Sequence, residues 1–283
     1  MAETLAAKAH AKVNLVLEVL GKRPDGYHEV DTILQEIELA DIVTIEPAVG
    51  WSITVSGPRA KGTPADDSNL ALRAARLLAE RVDGSPVHIH LEKHIPAAGG
   101  LGGGASDAAT TLRLLQKLWA HPTEDDMREV ANRVGSDEAF FLVGGTARAQ
   151  GRGARLTSLP SLSAHDVVLF VPGQTIERKT PRMFAALAKH PFDEPLLVAL
   201  FQAQPPRELT MEGTFNAFER VAFDLFPWLA TLWEDLEGRT GATIRLCGAG
   251  PCMFWIGPEG GAAIAGAAQG ADCEVFLTKT VAR

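Results

Sequence analysis

Between Pro96 and Ser106 the chain reads P-A-A-G-G-L-G-G-G-A-S, with glycines at Gly99, Gly100, Gly102, Gly103 and Gly104 and one bulky residue, Leu101, among them. Glycine frees the backbone to curl and to aim successive N–H groups inward. The flanks fix the meaning of the cluster. Ahead of it Val87, Ile89 and Leu91 alternate with His88 and His90, a strand pattern that Pro96 stops. Behind it Ala108, Leu112, Leu115 and Trp119 fall at helical spacing. Strand, glycine loop and helix in that order build a phosphate site, because the partly positive helix N-terminus points where the loop N–H groups point. A flexible linker rarely sits between a stopped strand and a well-patterned helix. The motif G-x-x-x-x-G-K-[ST] occurs nowhere, which excludes a P-loop NTPase. Gly100, Gly102 and Ala105 fit the looser G-x-G-x-x-A pattern of dinucleotide-binding folds. That unit needs a strand after the helix and an acid about 20 residues on. Here Asp125 and Asp126 have the spacing but open a second helix, so a dehydrogenase is a minor alternative.

The rest of the chain describes an α+β protein. At about 150 residues per domain, 283 residues predict two domains. The first half reads as strands at 12–20, 30–39, 41–46, 52–56 and 87–91 and helices over 69–81, after the glycines, and from Thr123, with Asp126 in capping position. A shift to Leu, Ser and Pro near 156–164 marks a junction, giving domains 1–157 and 158–283. The second half predicts a strand at 165–171, helices at 181–189, 216–225 and 228–236, strands at 242–246 and 252–256, a helix at 261–269 and a strand at 273–278. Its βα…αββαβ order suits an α+β sandwich. Trp119, Trp228, Trp233 and Trp255 are expected in the core.

Charge and cysteine content remove several classes of function. The formal net charge is −8, so no basic face for nucleic acid is expected. No apolar run reaches the roughly 18 residues of a membrane span, and Glu3, Lys12, Asn14 and Glu18 interrupt the apolar start, which reads as a strand rather than a secretory signal. Three cysteines, Cys247, Cys252 and Cys273, make neither a disulfide framework nor a zinc site and read as packing residues. A cytoplasmic location is expected.

The order P-x-x-x-G-L-G-G-G-x-S resembles the nucleotide loop of the GHMP small-molecule kinases. Further matches lie in the same order along essentially the whole chain: A-K-V-N-L at 11–15, D-G-Y-H at 25–28, S-N-L at 68–70, G-S-D-E-A-F-F at 135–141, T-P-R-M-F at 180–184, N-A-F-E at 216–219 and C-G-A-G-P-C at 247–252. The first two point to the branch whose substrate is a cytidylyl-linked sugar alcohol. The resemblance implies a ribosomal-protein-S5-like N-terminal domain, a ferredoxin-like C-terminal domain and an active site in the cleft between them. It implies transfer of the ATP γ-phosphoryl group to the tertiary 2-hydroxyl of that alcohol, in the non-mevalonate route to isoprenoid precursors. Mg²⁺ would bridge the ATP phosphates without a dedicated protein cage. The partners expected are ATP and the cytidylyl substrate, with the chain a monomer or weak homodimer. A sibling kinase for homoserine or mevalonate and a non-catalytic nucleotide sensor are the alternatives.

Several positions depart from the family pattern. Ala105 stands where a serine is usual, G-S-D-E-A replaces G-A-D-V-P, G-R-G-A at 151–154 replaces G-x-G-E, and the late loop carries Cys247, Ala249 and Pro251 in place of small hydroxyl residues.

Individual roles follow from the match. By pattern alone Asp137, after Gly135 and Ser136, could cap a helix, and Lys12, sharing a strand face with Asn14, could be solvated. The resemblance pairs them instead, with Asp137 accepting the hydroxyl proton and Lys12 stabilising charge on the reacting oxygen. It places Asn14 and Thr180 on the substrate, sandwiches the cytosine ring between Tyr27 and Phe184, and has His28 bond its polar edge. Asn69 and Lys93 match positions near adenine. Pro96, Gly99 to Gly104 including Leu101, and Ser106 would hold the phosphates, and Lys22 and Arg23 would meet the substrate diphosphate.

Overall fold

The structure is a computed structural model that describes residues 3–203 and 209–282. In chain order its elements are β1 (Leu5–Lys22), β2 (His28–Pro47), β3 (Ser52–Ser56), α1 (Leu70–Val82), β4 (Val87–Glu92), α2 (Gly103–Trp119), α3 (Glu124–Val134) and α4 (Glu138–Val143). Then come β5 (Thr146–Gly151), β6 (Arg155–Ser158), β7 (Asp166–Pro172), α5 (Lys179–Leu187), α6 (Leu197–Ala203), β8 (Phe215–Asn216), α7 (Glu219–Leu225), α8 (Pro227–Thr240), β9 (Arg245–Leu246), β10 (Met253–Gly257), α9 (Gly261–Ala267) and β11 (Cys273–Lys279). They form two compact α+β units. One holds the described residues up to Ala11 with Leu39–Ala97 and Gly102–Gly144; the other holds Lys12–Glu38, Ala98–Leu101 and the described residues from Gly145 on.

In the first unit β4 runs antiparallel to residues 42–47 of β2 and parallel to β3. Side chains alternate across a strand, so Val87, Ile89 and Leu91 are buried on one face. On the other face His88 and His90 hydrogen-bond the hydroxyls of Ser52, Thr54 and Ser56. Helices α1 to α4 pack on one another, burying Leu78, Leu112, Leu115, Phe140 and Phe141. Their starts are set by side chains. Asn69 caps α1 by accepting from the Ala71 N–H at 2.9 Å, and Thr123 and Asp126 form the reciprocal box that opens α3, as their spacing predicts.

In the second unit β11, β7, β10 and β9 form a four-stranded antiparallel sheet in that order. With the intervening helices this is the ferredoxin-like β-α-β-β-α-β arrangement. Val167 to Val171 of β7 are all buried. Val168 and Phe170 join Met183, Phe218, Leu229, Leu236 and Met253 in one apolar cluster. Also in this unit, β5 and β6 form a hairpin on residues 30–35 of β2, and β8 pairs in parallel with Val16 and Leu17 of β1.

Four sequence expectations change. The two strands expected at 30–39 and 41–46 are one, which runs unbroken through Ala40, and Asp41 within it is buried, its Oδ1 accepting the N–H groups of His94 and Ile95. Asn216, expected to open a helix, lies in β8, and the helix starts at Glu219. The six residues of α4 and seven of α6 are too short to show a helical period in sequence. Of the four tryptophans expected in the core, only Trp233 is buried, while Trp119, Trp228 and Trp255 are half-buried. Large rings are seldom fully enclosed.

Candidate active site

The glycine loop has the geometry its composition predicts. Gly100 has φ +90°, and a Cβ there would lie 1.8 Å from the Cys247 carbonyl oxygen, so no side chain fits. Gly102 is the N-cap of α2 in the left-handed region, with φ 76°. Gly102 and Gly103 are half-buried and Gly104 is exposed. The unbonded N–H groups of the first turn of α2 are therefore open to an anion, and that turn carries no acid. Ser106 is buried beneath them.

Lys93 lies in the same unit, and its Nζ donates to both Asp41 and Asp107, all three side chains being buried. Burial opposes the charge on Lys93, but the two carboxylates outweigh it and hold its pKa up. Burial also pushes the Asp107 carboxyl above its ordinary value, against the pull of Lys93. This ion cluster ties the end of β4 to α2. Asn69 donates to the Pro64 carbonyl at 2.7 Å as well as capping α1, so its amide is engaged at both ends.

Asp137 occupies the N-cap position of α4, yet its side chain makes no capping hydrogen bond. Beside it Glu138 is buried, and its carboxyl lies so close to Gly135 that a Cβ there would stand 2.5 Å from Oε2. Burial, and then the neighbouring Asp137, raise the Glu138 pKa to about 7, and Arg73 opposes the shift.

The second unit carries the other expected residues. Lys12 is not solvated: it is 4 % exposed, and its Nζ donates to Asn14 Oδ1 at 2.7 Å. Asn14 Nδ2 donates to the Thr32 hydroxyl at 2.9 Å, which donates to the Val16 carbonyl at 2.6 Å. The network fixes the ammonium beside Gly248, where a Cβ would stand 3.4 Å from Nζ and 3.3 Å from Asn14 Oδ1. The Lys12 N–H donates to the Leu101 carbonyl at 2.9 Å. One strand thus carries the cation and holds the start of the glycine loop.

Tyr27 is exposed, with the Arg152 guanidinium 5.5 Å from its ring centroid. The His28 and Phe184 rings are stacked at 4.4 Å and 14°, and Phe184 meets Phe218 edge-on at 4.8 Å. Burial and then the charge of Lys22 lower the His28 pKa, so the imidazole is neutral near pH 7. Thr180 is exposed on α5, Lys22 is exposed, and Arg23 pairs with Asp25 and Glu29.

Three residues with no role assigned from sequence organise the second loop, residues 247–252. Asn216 donates to the carbonyls of Leu246 and Gly248 at 2.9 and 2.8 Å. Glu219 accepts from the Leu246 N–H at 3.0 Å, and burial raises its pKa to about 7 against the charge of Arg245. Lys179 donates to the carbonyls of Ala98 and Gly250. The N-A-F-E string flagged the first two without explaining them; nothing in the sequence marks Lys179 except its place one residue before Thr180. Among the described residues no cluster of three or more His, Cys, Asp or Glu side chains is placed to hold a metal ion.

A glycine loop that opens a helix, in a chain that also carries a ferredoxin-like unit, defines a GHMP-type kinase, and the family described as GHMP kinases N terminal domain matches residues 69–145. The 4-diphosphocytidyl-2-C-methyl-D-erythritol kinase of Exiguobacterium sibiricum is 38% identical over 255 residues, covering 89% of this chain and 88% of that protein. The crystal structure of a 4-(cytidine 5'-diphospho)-2C-methyl-D-erythritol kinase matches with a TM-score of 0.78 at 34% identity, over 99% of this chain and 100% of that one. The homoserine kinase of Cytophaga hutchinsonii, 15% identical with a TM-score of 0.67 over 97% of this chain and 95% of that one, shares the fold alone. The chain belongs to the 4-diphosphocytidyl-2-C-methyl-D-erythritol kinase family of the GHMP kinases.

Proposed function

We propose that this kinase transfers the γ-phosphoryl group of ATP to the 2-hydroxyl of 4-diphosphocytidyl-2-C-methyl-D-erythritol, a step in the non-mevalonate supply of isoprenoid precursors. The observation that carries this reading is 38% identity over 89% of the chain to a relative named for that substrate.

The chemistry asks little covalent work of the protein and much positioning. The α2 N-terminus and the glycine loop receive the ATP phosphates through main-chain N–H groups. Asp137 accepts the proton of the attacking hydroxyl. Lys12, held by Asn14, faces the same oxygen and lowers the cost of its developing charge. Tyr27 and Phe184 take the two faces of the cytosine ring, for which His28 must leave the face of Phe184 it now covers. Neutral His28 then bonds the polar edge of the base. Mg²⁺ would travel with ATP, held by phosphate oxygens and water rather than by a dedicated protein cage. Bound so, it would shield charge on the phosphates.

The test is ADP release measured with the cytidylyl alcohol, homoserine and mevalonate in parallel. Turnover should require the cytidylyl alcohol. Turnover on homoserine or mevalonate without it would make this a sibling kinase, and absence of any phosphoryl transfer in a single turnover with labelled ATP would leave a nucleotide sensor.

A further inference from the structure

Lys179 is the first residue of α5, and its ammonium ends between two glycine loops. Nζ donates to the carbonyl of Ala98, at the start of the first loop, and to that of Gly250, in the second. The loops also meet directly. The Cys252 N–H donates to the Gly99 carbonyl at 3.2 Å, and Gly100 lies against the Cys247 carbonyl. Both acceptors of the lysine are neutral. Among the described residues no carboxylate pairs with it, and the groups that bear on its charge are Lys12 from β1 and the thiols Cys247 and Cys252 from the loop between β9 and β10. Burial, and then the charge of Lys12, lower its pKa to about 8. A half-buried cation beside a second cation, with only carbonyl dipoles for company, is costly to keep. An anion delivered to the same place offsets that cost. An ammonium has three N–H donors, two of which the carbonyls use, so one remains for a ligand.

We propose that Lys179 is a phosphate-binding residue of this enzyme, donating to the terminal phosphates of the bound nucleoside triphosphate between the two glycine loops. This rests on the reading of the chain as an ATP-dependent kinase. Lys179 then does two jobs. It fixes the loops relative to each other before the nucleotide arrives, and it supplies a positive charge that main-chain N–H groups lack.

The experiment compares Lys179→Met, Lys179→Arg and, as a control at an exposed lysine just beyond the end of α5, Lys189→Met. Affinity for a non-hydrolysable ATP analogue is measured by calorimetry, and kcat and KM for both substrates by ADP release from pH 6 to 9.5. Lys179→Met should weaken the analogue by about 10- to 100-fold, the size of a lost charge-assisted hydrogen bond, while KM for the cytidylyl alcohol stays within about twofold. Lys179→Arg should recover most of the affinity. In the wild type kcat/KM for ATP should fall above about pH 8 as the ammonium deprotonates, and arginine should abolish that fall. Wild-type analogue affinity in a folded Lys179→Met variant overturns the proposal, as does a lowered melting temperature that the analogue raises as far as in the wild type. Should Lys179→Met not fold, an alkaline fall that persists in Lys179→Arg overturns it. If no alcohol is phosphorylated yet Lys179→Met loses the analogue, the lysine assignment stands and the kinase reading falls.

Discussion

Asp137 sits where a capping residue would sit and does not cap, and Lys12 sits where a solvated residue would sit and is buried. Alternation along a strand says which residues share a face, but not what covers that face. Residues 11–19 of β1 are buried throughout, so its polar positions Lys12, Asn14 and Glu18 lie under other parts of the chain, and the resemblance rather than the pattern gave Lys12 its role. If Asp137 and Lys12 serve one reacting hydroxyl, Asp137→Asn and Lys12→Met should each lower kcat by roughly 100-fold or more. ATP affinity should barely move in either. The double variant should be little worse than the worse single, whereas losses that multiply, read by single-turnover kinetics, would separate their roles. Tyr27→Ala and Phe184→Ala should each weaken the cytidylyl substrate by about 1–3 kcal/mol, the worth of one stacking face, with ATP affinity intact by calorimetry. Normal substrate affinity in both would remove the sandwich.

Elements with a clear period and a chemical stop were legible in the sequence. The α3 capping box, the buried face of β4 and the helix after the glycines all follow from local chemistry. Two features were not. The one strand β2 reads as two, at 30–39 and 41–46, because the partners that bury Asp41, Lys93 and the N–H groups of His94 and Ile95, lie far along the chain. Asn216 looks like helix because its acceptors, the Leu246 and Gly248 carbonyls, belong to a loop that sequence alone does not bring near. At this scale the first glycine loop gives the sharpest expectation. Gly102→Val would force a β-branched residue to φ 76° and place its side chain where phosphate must approach. ATP affinity should drop at least about 10-fold while that for the cytidylyl alcohol holds. Unchanged ATP affinity in a folded variant would take the loop out of the site.

Across the whole chain, stability should fall as pH rises through neutrality. Glu138 and Glu219 are each raised from 4.5 to about 7, mainly by burial. A raised carboxyl is neutral in the fold and ionises more readily in the unfolded chain. Its contribution is therefore complete below about pH 4.5 and lost as pH climbs through 7, no more than about 3 kcal/mol for each. Asp126, lowered to about 2 chiefly by its hydrogen bond from Thr123, acts the other way: its contribution is present above pH 4 and lost as pH falls through 2. Melting temperature should therefore peak between these limits. Glu138→Gln should leave it unchanged at pH 4 and raise it by roughly 5 °C at pH 8; an equal rise at both would mean that ionisation is not the cause. The second loop has a different use. Cys247 and Cys252 are 0% and 2% exposed, burial holds the Cys247 thiol far from ionisation, and half-buried Cys273 is raised to about 11. Only the thiolate reacts, so at pH 7 the native enzyme should consume maleimide slowly and at Cys273 first. Mass spectrometry should count three adducts in denaturant. The rate at which the other two appear in native buffer clocks how often that loop opens, and the enzyme thereby carries its own unfolding probe without an engineered label.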